Sequence, residues 1–236
     1  MVASLQSKLL PQEDLIFSGL SLQTLYRTSG HASGDYYDFF PLDEDTLRIV
    51  IADVSGHGAR AAFLMAVVRT LFRTTQANYL DLTSTMELVN RHLFEIVGDE
   101  SDFVSLFSAD ISVPERQITY VNAGHCPGLL RLSQDRIIRL DPLNTVLGFF
   151  TQKFAKEKVD ISEDSGLLVF TDGFYEWETE TGELLGLERF IQISESLIIV
   201  SPFYLEQLLE SLMNTSSMRP VFRDDISALW VQMESK

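Results

Sequence analysis

The run Leu47-Arg48-Ile49-Val50-Ile51-Ala52 constrains the fold most, because it is short, β-branched and apolar and it ends on an acid, Asp53. Such a run reads as a buried strand. The next residues, Val54-Ser55-Gly56-His57-Gly58, carry two glycines that permit a tight turn. A strand that emerges from a core and stops on a carboxylate places that carboxylate at the core's rim. Leu167 to Thr171 repeats the arrangement, ending at Asp172-Gly173.

The segments between these runs set the fold class. Ala61, Leu64, Met65, Val68 and Phe72 share one face of a helix, with Arg60, Arg69 and Arg73 off it. A second helix is predicted from Ser84, with Glu87 as capping-box partner and Met86, Val89, Leu93 and Ile96 buried. Strands then dominate: Asp102–Ile111, Ile118–Val121 after a turn at Pro114-Glu115, a Gly128–Leu132/Arg136–Leu140 hairpin, and Phe154–Ile161. Helical stretches are expected near Gly173–Glu178, Leu187–Ser194 and Pro202–Met213, before a last strand, Ile226–Gln232. Runs of strands and runs of helices, rather than a βαβ alternation, mean α+β with helices layered on antiparallel sheet.

Composition narrows the function. The 236 residues are 45% hydrophobic and 22% charged, enough for a sizeable core, in one large domain or two small ones. No apolar run reaches the ~18–20 residues that span a bilayer, and the N-terminus lacks a signal segment. Cys126 is the only cysteine, so no internal disulfide forms and a reducing cytoplasm fits. The formal charge of -16 makes nucleic acid and anionic membrane poor partners. Near the N-terminus, Val2, Leu5 and Leu9 recur at helical spacing until Pro11. Residues 1–12 therefore read as the end of a helix from an upstream sensory or receiver domain, as a helix pairing two copies in a homodimer, or as a frayed leader.

Four aspartates carry the chemistry. Asp35 lies in Ser33-Gly34-Asp35-Tyr36-Tyr37-Asp38, Asp53 and Asp172 end buried strands, and Asp224 opens the last one in Asp224-Asp225-Ile226-Ser227. Singly, each suits a turn or a helix cap. Together at a core's rim they would repel one another, a problem that hard divalent cations solve. Mg²⁺ and Mn²⁺ take carboxylate, carbonyl and water oxygens. The four histidines show no H-x-x-x-H or H-E-x-x-H spacing, and one cysteine makes no thiolate zinc site.

Five segments, in order along essentially the whole chain, resemble the metal-dependent protein phosphatases of type 2C (the PPM family), and most of all the bacterial branch named after SpoIIE and RsbU. They are Ser33–Phe40, Asp53–Gly58, Asn122-Ala123-Gly124-His125, Thr171-Asp172-Gly173 and Asp224–Ser227, with Gln6, Leu9, Leu10 and Pro11 matching the approach to the domain. The resemblance implies that residues 13–236 form an α/β/β/α sandwich of two mainly antiparallel sheets flanked by helices. It implies two Mn²⁺ or Mg²⁺ ions in a cleft at one end. Asp53 would bridge them, Asp35 and the Val54 carbonyl would complete one site, and Asp172 and Asp224 the other. Asp38 and Asp225 are secondary candidates, and His57 is a candidate general acid. Asp53 and Asp172 would act through metal-bound water. The implied substrate is a phosphoserine or phosphothreonine of a regulatory protein, typically a STAS-domain anti-sigma-factor antagonist.

Three rivals are weighed against this. His125-Cys126-Pro127-Gly128-Leu129-Leu130-Arg131 resembles a cysteine-phosphatase loop but has four residues, not five, between cysteine and arginine. A catalytically inactive docking module would be expected to lack some of the aspartates. The glycines of Asp53–Gly58 lack the spacing of a nucleotide loop.

Overall fold

A computed structural model describes residues 6, 8–29, 32–77, 80–98, 102–177, 179, 183–199, 203–214 and 224–234. Two antiparallel sheets face each other. One has six strands in the order β1-β2-β11-β10-β7-β8, from β1 (Leu15–Phe17), β2 (Leu20–Arg27), β7 (Gly128–Ser133), β8 (Arg136–Leu140), β10 (Gly166–Phe170) and β11 (Ile226–Met233). The other has five, β3-β4-β5-β6-β9: β3 (Tyr36–Pro41), β4 (Thr46–Val54), β5 (Val104–Ser112), β6 (Gln117–Ala123) and β9 (Glu157–Asp160). Helices α1 (Ala59–Ala77) and α2 (Leu82–Val97) cover the five-stranded sheet, and α4 (Leu205–Met213), paired with α3 (Leu187–Ile198), covers the six-stranded one. The chain is thus α+β, as expected.

The layering explains the apolar runs. β4 is buried along almost its whole length, because one face meets the opposite sheet and the other meets α1. Ile49, Ile51, Leu106, Leu167, Val169 and Leu229 belong to a core cluster that also takes Leu64, Met65, Val68 and Phe72 of α1. A second cluster sits under α3 and α4, with Phe170, Phe174, Phe190, Leu208 and Trp230. Two buried arginines tie elements together. Arg48 donates to both Asp110 carboxylate oxygens (2.6 and 2.7 Å) and to Thr85 of α2 (2.9 Å). Arg131 donates to the Asp164 and Ile198 carbonyls (3.0 and 2.5 Å) and lies over the Trp230 ring.

Several elements differ from expectation. The second helix starts at Leu82, not Ser84: the Asp81 carboxylate accepts from the Thr83 and Ser84 amides and hydroxyls and outcompetes the Ser84 cap. Val97, not Ile96, closes its buried face. Only Glu157–Asp160 of the segment 154–161 pairs as a strand. The helix expected at 173–178 is one 3₁₀ turn, Asp172–Phe174. Strands β1, β2 and β3 had no counterpart in the sequence reading. The N-terminal helix falls largely outside the described residues, but Gln6 is buried and its amide exchanges two hydrogen bonds with the Ser33 backbone (2.8 and 2.9 Å). Among the described residues, no helix is long and apolar enough to cross a membrane.

Candidate active site

Strand ends from both sheets meet at one end of the sandwich. Asp53 is the penultimate residue of β4 and lies opposite Ser105 of β5. The turn that follows needs left-handed backbone at Gly56 (φ 85°) and Gly58 (φ 84°), which only glycine adopts cheaply. The Gly58 amide donates to the Ala32 carbonyl (3.1 Å), folding the turn onto the segment before β3. There Gly34 passes so close that a Cβ on it would stand 2.7 Å from the Val54 carbonyl oxygen. Asp172 opens the 3₁₀ turn after β10. The adjoining Gly173 has no room for a side chain, since a Cβ would lie 1.9 Å from the Asp225 carbonyl oxygen. That contact seats the Asp172 turn directly on the Asp224-Asp225 segment leading into β11.

A cleft of about 590 Å³ opens here, and Asp53, Val54, Asp172 and Asp224 are all on its wall. Asp224 also borders a second hollow of about 370 Å³ with Gly34, His57 and Asp225. Asp35 lies beneath this surface, fully buried. The Thr171 and Ser227 hydroxyls both donate to its Oδ2 (2.9 and 2.6 Å), so residues 136 and 192 positions away fix it. Asp225 accepts from the amide and hydroxyl of Ser29 (2.7 and 3.2 Å). Asp38 is engaged elsewhere: Arg73 of α1 grips both its oxygens and the Tyr36 hydroxyl donates to it (3.0 Å). Neither Asp38 oxygen is left for an ion, which removes it from the secondary candidates.

The rim carboxylates are short of partners. Burial, followed by the charges of Asp172 and Asp224, pushes Asp53 up to about 8. Burial, then Glu176 and Asp224, pushes Asp172 up to about 6, and the amides of its own turn offset part of this. Asp35 is raised well above the usual range by burial and by Asp53, and Asp224 is raised chiefly by burial. Among the described residues no hydrogen-bond donor reaches the Asp53 carboxylate. No three His, Cys, Asp or Glu side chains form a ready-made metal cage among them either. Hard oxygen donors facing open space, repelling one another and without an ion-paired lysine or arginine among the described residues, suit a hard divalent ion that keeps several waters.

Neighbouring groups complete the wall. The Asn122 side chain knits its own turn, accepting from the His125 amide (2.9 Å) and donating to the Cys126 and Leu140 carbonyls (3.1 and 3.2 Å). Burial lowers His125 to about 4, and its neutral ring shares a hydrogen bond through Nδ1 with the Ser105 hydroxyl (2.7 Å). Burial pushes the Cys126 thiol up to about 12, and it contacts the Tyr175 hydroxyl (3.3 Å). A thiol held protonated beside acids is a poor nucleophile, and Arg131 points into the core rather than to a phosphate loop. Sequence reasoning missed Glu176, which the Asp172 turn folds back through its amide bond to the Asp172 carbonyl (3.0 Å). It also gave Thr171 and Ser227 no role, although both stand in the motifs that carry Asp172 and Asp224.

Comparison with known proteins gives the chain's family and fold. The chain is 30% identical over 191 residues to the phosphoserine phosphatase RsbU of Bacillus subtilis, covering 78% of this chain and 55% of that protein. It is 27% identical over 165 residues to the phosphoserine phosphatase RsbP of the same organism, covering 68% of this chain and 41% of that one. It thus spans about half the length of these curated relatives. Among solved structures, the RsbU and RsbW domains of a Mycobacterium tuberculosis protein share the fold with a TM-score of 0.78, at 24% identity, over 93% of this chain and 63% of that one. The phosphatase domain and regulatory fragment of Bacillus subtilis SpoIIE do so with 0.74, at 17% identity, over 92% and 62%. The family model described as Stage II sporulation protein E (SpoIIE) matches residues 43–234, from the turn before β4 to the end of β11, and the chain belongs to that family.

Proposed function

We propose that this chain is a metal-dependent phosphatase acting on a phosphoserine or phosphothreonine of a regulatory protein. The observation that carries the proposal is the meeting of Asp53, Asp172 and Asp224 on one open cleft, with no lysine or arginine among the described residues in an ion pair with any of them. Asp53, Asp172, Asp224 and the Val54 carbonyl would hold Mn²⁺ or Mg²⁺, two ions being the number that the family resemblance implies. Asp35, clamped by Thr171 and Ser227, would support Asp53 from below and complete one site. Such ions, when bound, lower the pKa of water and neutralise the charge gathering on a phosphoryl group. The chain's own part is placement. β4 and β10 deliver the carboxylates, the Gly34 and Gly173 contacts lock their loops together, and the wall around Ser105, His125 and Tyr175 bounds the space for the phosphorylated residue. His57, in the hollow shared with Asp224, is the candidate proton donor to the leaving oxygen.

The two relatives named as phosphoserine phosphatases support a protein substrate, and the family resemblance points to a STAS-domain antagonist. An upstream sensory or receiver domain, and pairing of two copies through the N-terminal segment, belong to the same proposal. The test is hydrolysis of p-nitrophenyl phosphate with Mn²⁺ and with EDTA, for the wild type and Asp172→Asn. Turnover that needs the metal and falls by orders of magnitude in the variant is expected. A folded wild type with no metal-dependent turnover would refute the proposal and leave a docking module.

A further inference from the structure

The far wall of the cleft holds a pair of side chains that the chemistry at the carboxylates does not use. Arg139 of β8 donates from Nη1 to Glu188 Oε1 and from Nη2 to Glu188 Oε2, each at 3.0 Å, a fork on a fork. Glu188 stands in the first turn of α3. Both side chains line the same cleft as Asp53 and Asp172. Every other charged residue on that wall is acidic: Asp53, Asp141, Asp172, Glu188 and Asp224. Among the described residues lining the cleft, Arg139 carries the one fixed positive charge.

The pair is open to solvent, with side-chain exposures of 35% for Arg139 and 70% for Glu188. An exposed ion pair adds little to stability, so joining β8 to α3 is a weak reason for its geometry. Recognition is a stronger one. A guanidinium fork matches a carboxylate in plane and spacing, and Glu188 already occupies it in the pose an incoming carboxylate would take. The rest of the wall repels acids. Among the described side chains of the wall, Arg139 is therefore the one place where an acidic side chain of a bound protein meets a fixed positive charge.

We propose that Arg139 is a specificity-determining residue that receives an aspartate or glutamate of the protein substrate, at a fixed offset from its phosphorylated residue, and that Glu188 holds the guanidinium in place until it is displaced. The assignment rests on the phosphatase reading above and deepens it by naming a substrate class, a phosphoprotein with a single acid near the phosphorylated residue. The exchange is a swap of one carboxylate for another at the same fork, with no bond made or broken.

The experiment uses synthetic phosphoserine peptides of alanine background with one glutamate walked from five residues before to five after the phosphoserine, assayed with Mn²⁺. One position should raise kcat/KM about fivefold over the all-alanine peptide, through KM, the scale of a charge-assisted pair discounted for exposure. Arg139→Ala should erase that preference and leave the all-alanine peptide and p-nitrophenyl phosphate unchanged. Glu188→Gln should move the other way, lowering KM for the favoured peptide about twofold by removing the internal competitor. Two opposite signs separate recognition from a structural pair, whose loss from either side would act alike. A flat profile, or the same preference in Arg139→Ala, overturns the assignment while metal-dependent turnover of p-nitrophenyl phosphate keeps the phosphatase reading. Equal loss of p-nitrophenyl phosphate turnover in Arg139→Ala overturns it too, since Arg139 would then serve the phosphoryl group itself. A wild type inactive on every substrate refutes both.

Discussion

Replacing Asp53 by asparagine should make the metal-free protein more stable at alkaline pH while removing its activity. Asp53 has a pKa of about 8 in the folded chain, raised first by burial and then by Asp172 and Asp224. In the unfolded chain it returns to about 3.9. Between those values the folded state holds a proton that the unfolded state has released, so stability falls as pH rises. The contribution is intact below about pH 4 and is lost progressively up to about pH 8. One unit is worth about 1.36 kcal/mol, and some four units give an upper bound of about 5 kcal/mol. Water entry, local relaxation and sharing of the proton with Asp172 and Asp35 reduce this to about 2–3 kcal/mol. At about 2–4 °C per kcal/mol for a chain of this size, that is about 5–10 °C in melting temperature.

The stretch from pH 5.5 to about pH 8 is roughly 60% of that span, so in EDTA the wild type should melt about 3–6 °C lower at pH 8.5 than at pH 5.5, and Asp53→Asn should lose most of that slope. At pH 8.5 the variant should melt above the wild type. Mn²⁺ at a hundred times its dissociation constant stabilises by about 2.7 kcal/mol, which should reverse the order, because the variant lacks the charge that draws the ion. Thermal melts at constant ionic strength, with EDTA and with Mn²⁺, read all four states. A wild type whose metal-free melting temperature rises from pH 5.5 to pH 8.5, or a variant less stable than the wild type in EDTA at pH 8.5, would refute the reasoning.

Three further outcomes are expected. Cys126→Ser should keep turnover within about twofold, because the thiol is held protonated; a folded but inactive variant would bring back a thiolate mechanism. Gly173→Ala places a Cβ 1.9 Å from the Asp225 carbonyl oxygen, so backbone must move. A cost of about 1–3 kcal/mol in urea denaturation and a loss of turnover should appear together, and wild-type values for both would contradict the packing. Arg73→Ala leaves Asp38 buried with only the Tyr36 hydroxyl and Phe39 amide as donors. It should cost about 3 kcal/mol, most of which Asp38→Asn should restore in the double variant; equal melting of the single and double variants would show that the charge is not the cause.

The legible parts of the fold are those where one physical demand dominates. β4 was readable because both its faces are covered, so its apolar residues run on until Asp53. β2 was not, because its faces serve different cores. Leu20 and Leu22 point between the sheets and Leu25 points toward α3 and α4, so neither an unbroken run nor a clean alternation appears. The start of α2 was misplaced because Asp81, Thr83 and Ser84 are competing caps within four residues, and the carboxylate prevails. At the site, Asp53, Asp172 and Asp224 stood out as acids at strand ends next to a glycine-bearing turn or a second aspartate. The burial of Asp35 and its hold by Thr171 and Ser227 did not, since those contacts cross 136 and 192 residues and arise only when two sheets stack.

The way acids are treated in the interior separates a working site from a structural cluster. Other inner carboxylates are supplied with donors: Arg73 for Asp38, Arg48 for Asp110, Ser29 for Asp225, and two hydroxyls for Asp35, which hold that acid in place beneath the cleft. Asp53, half-buried at the open rim, receives none from the described residues. A fold that satisfies these four carboxylates with donors from a helix, a loop and other strands has the means to satisfy a fifth, so the shortage at Asp53 is specific to the cleft. That shortage destabilises the metal-free protein in the pH range where Asp53 ionises, and an ion entering from the cleft would offset it. Metal binding and folding would then be coupled through Asp53, the carboxylate on which the proposed catalysis would also depend.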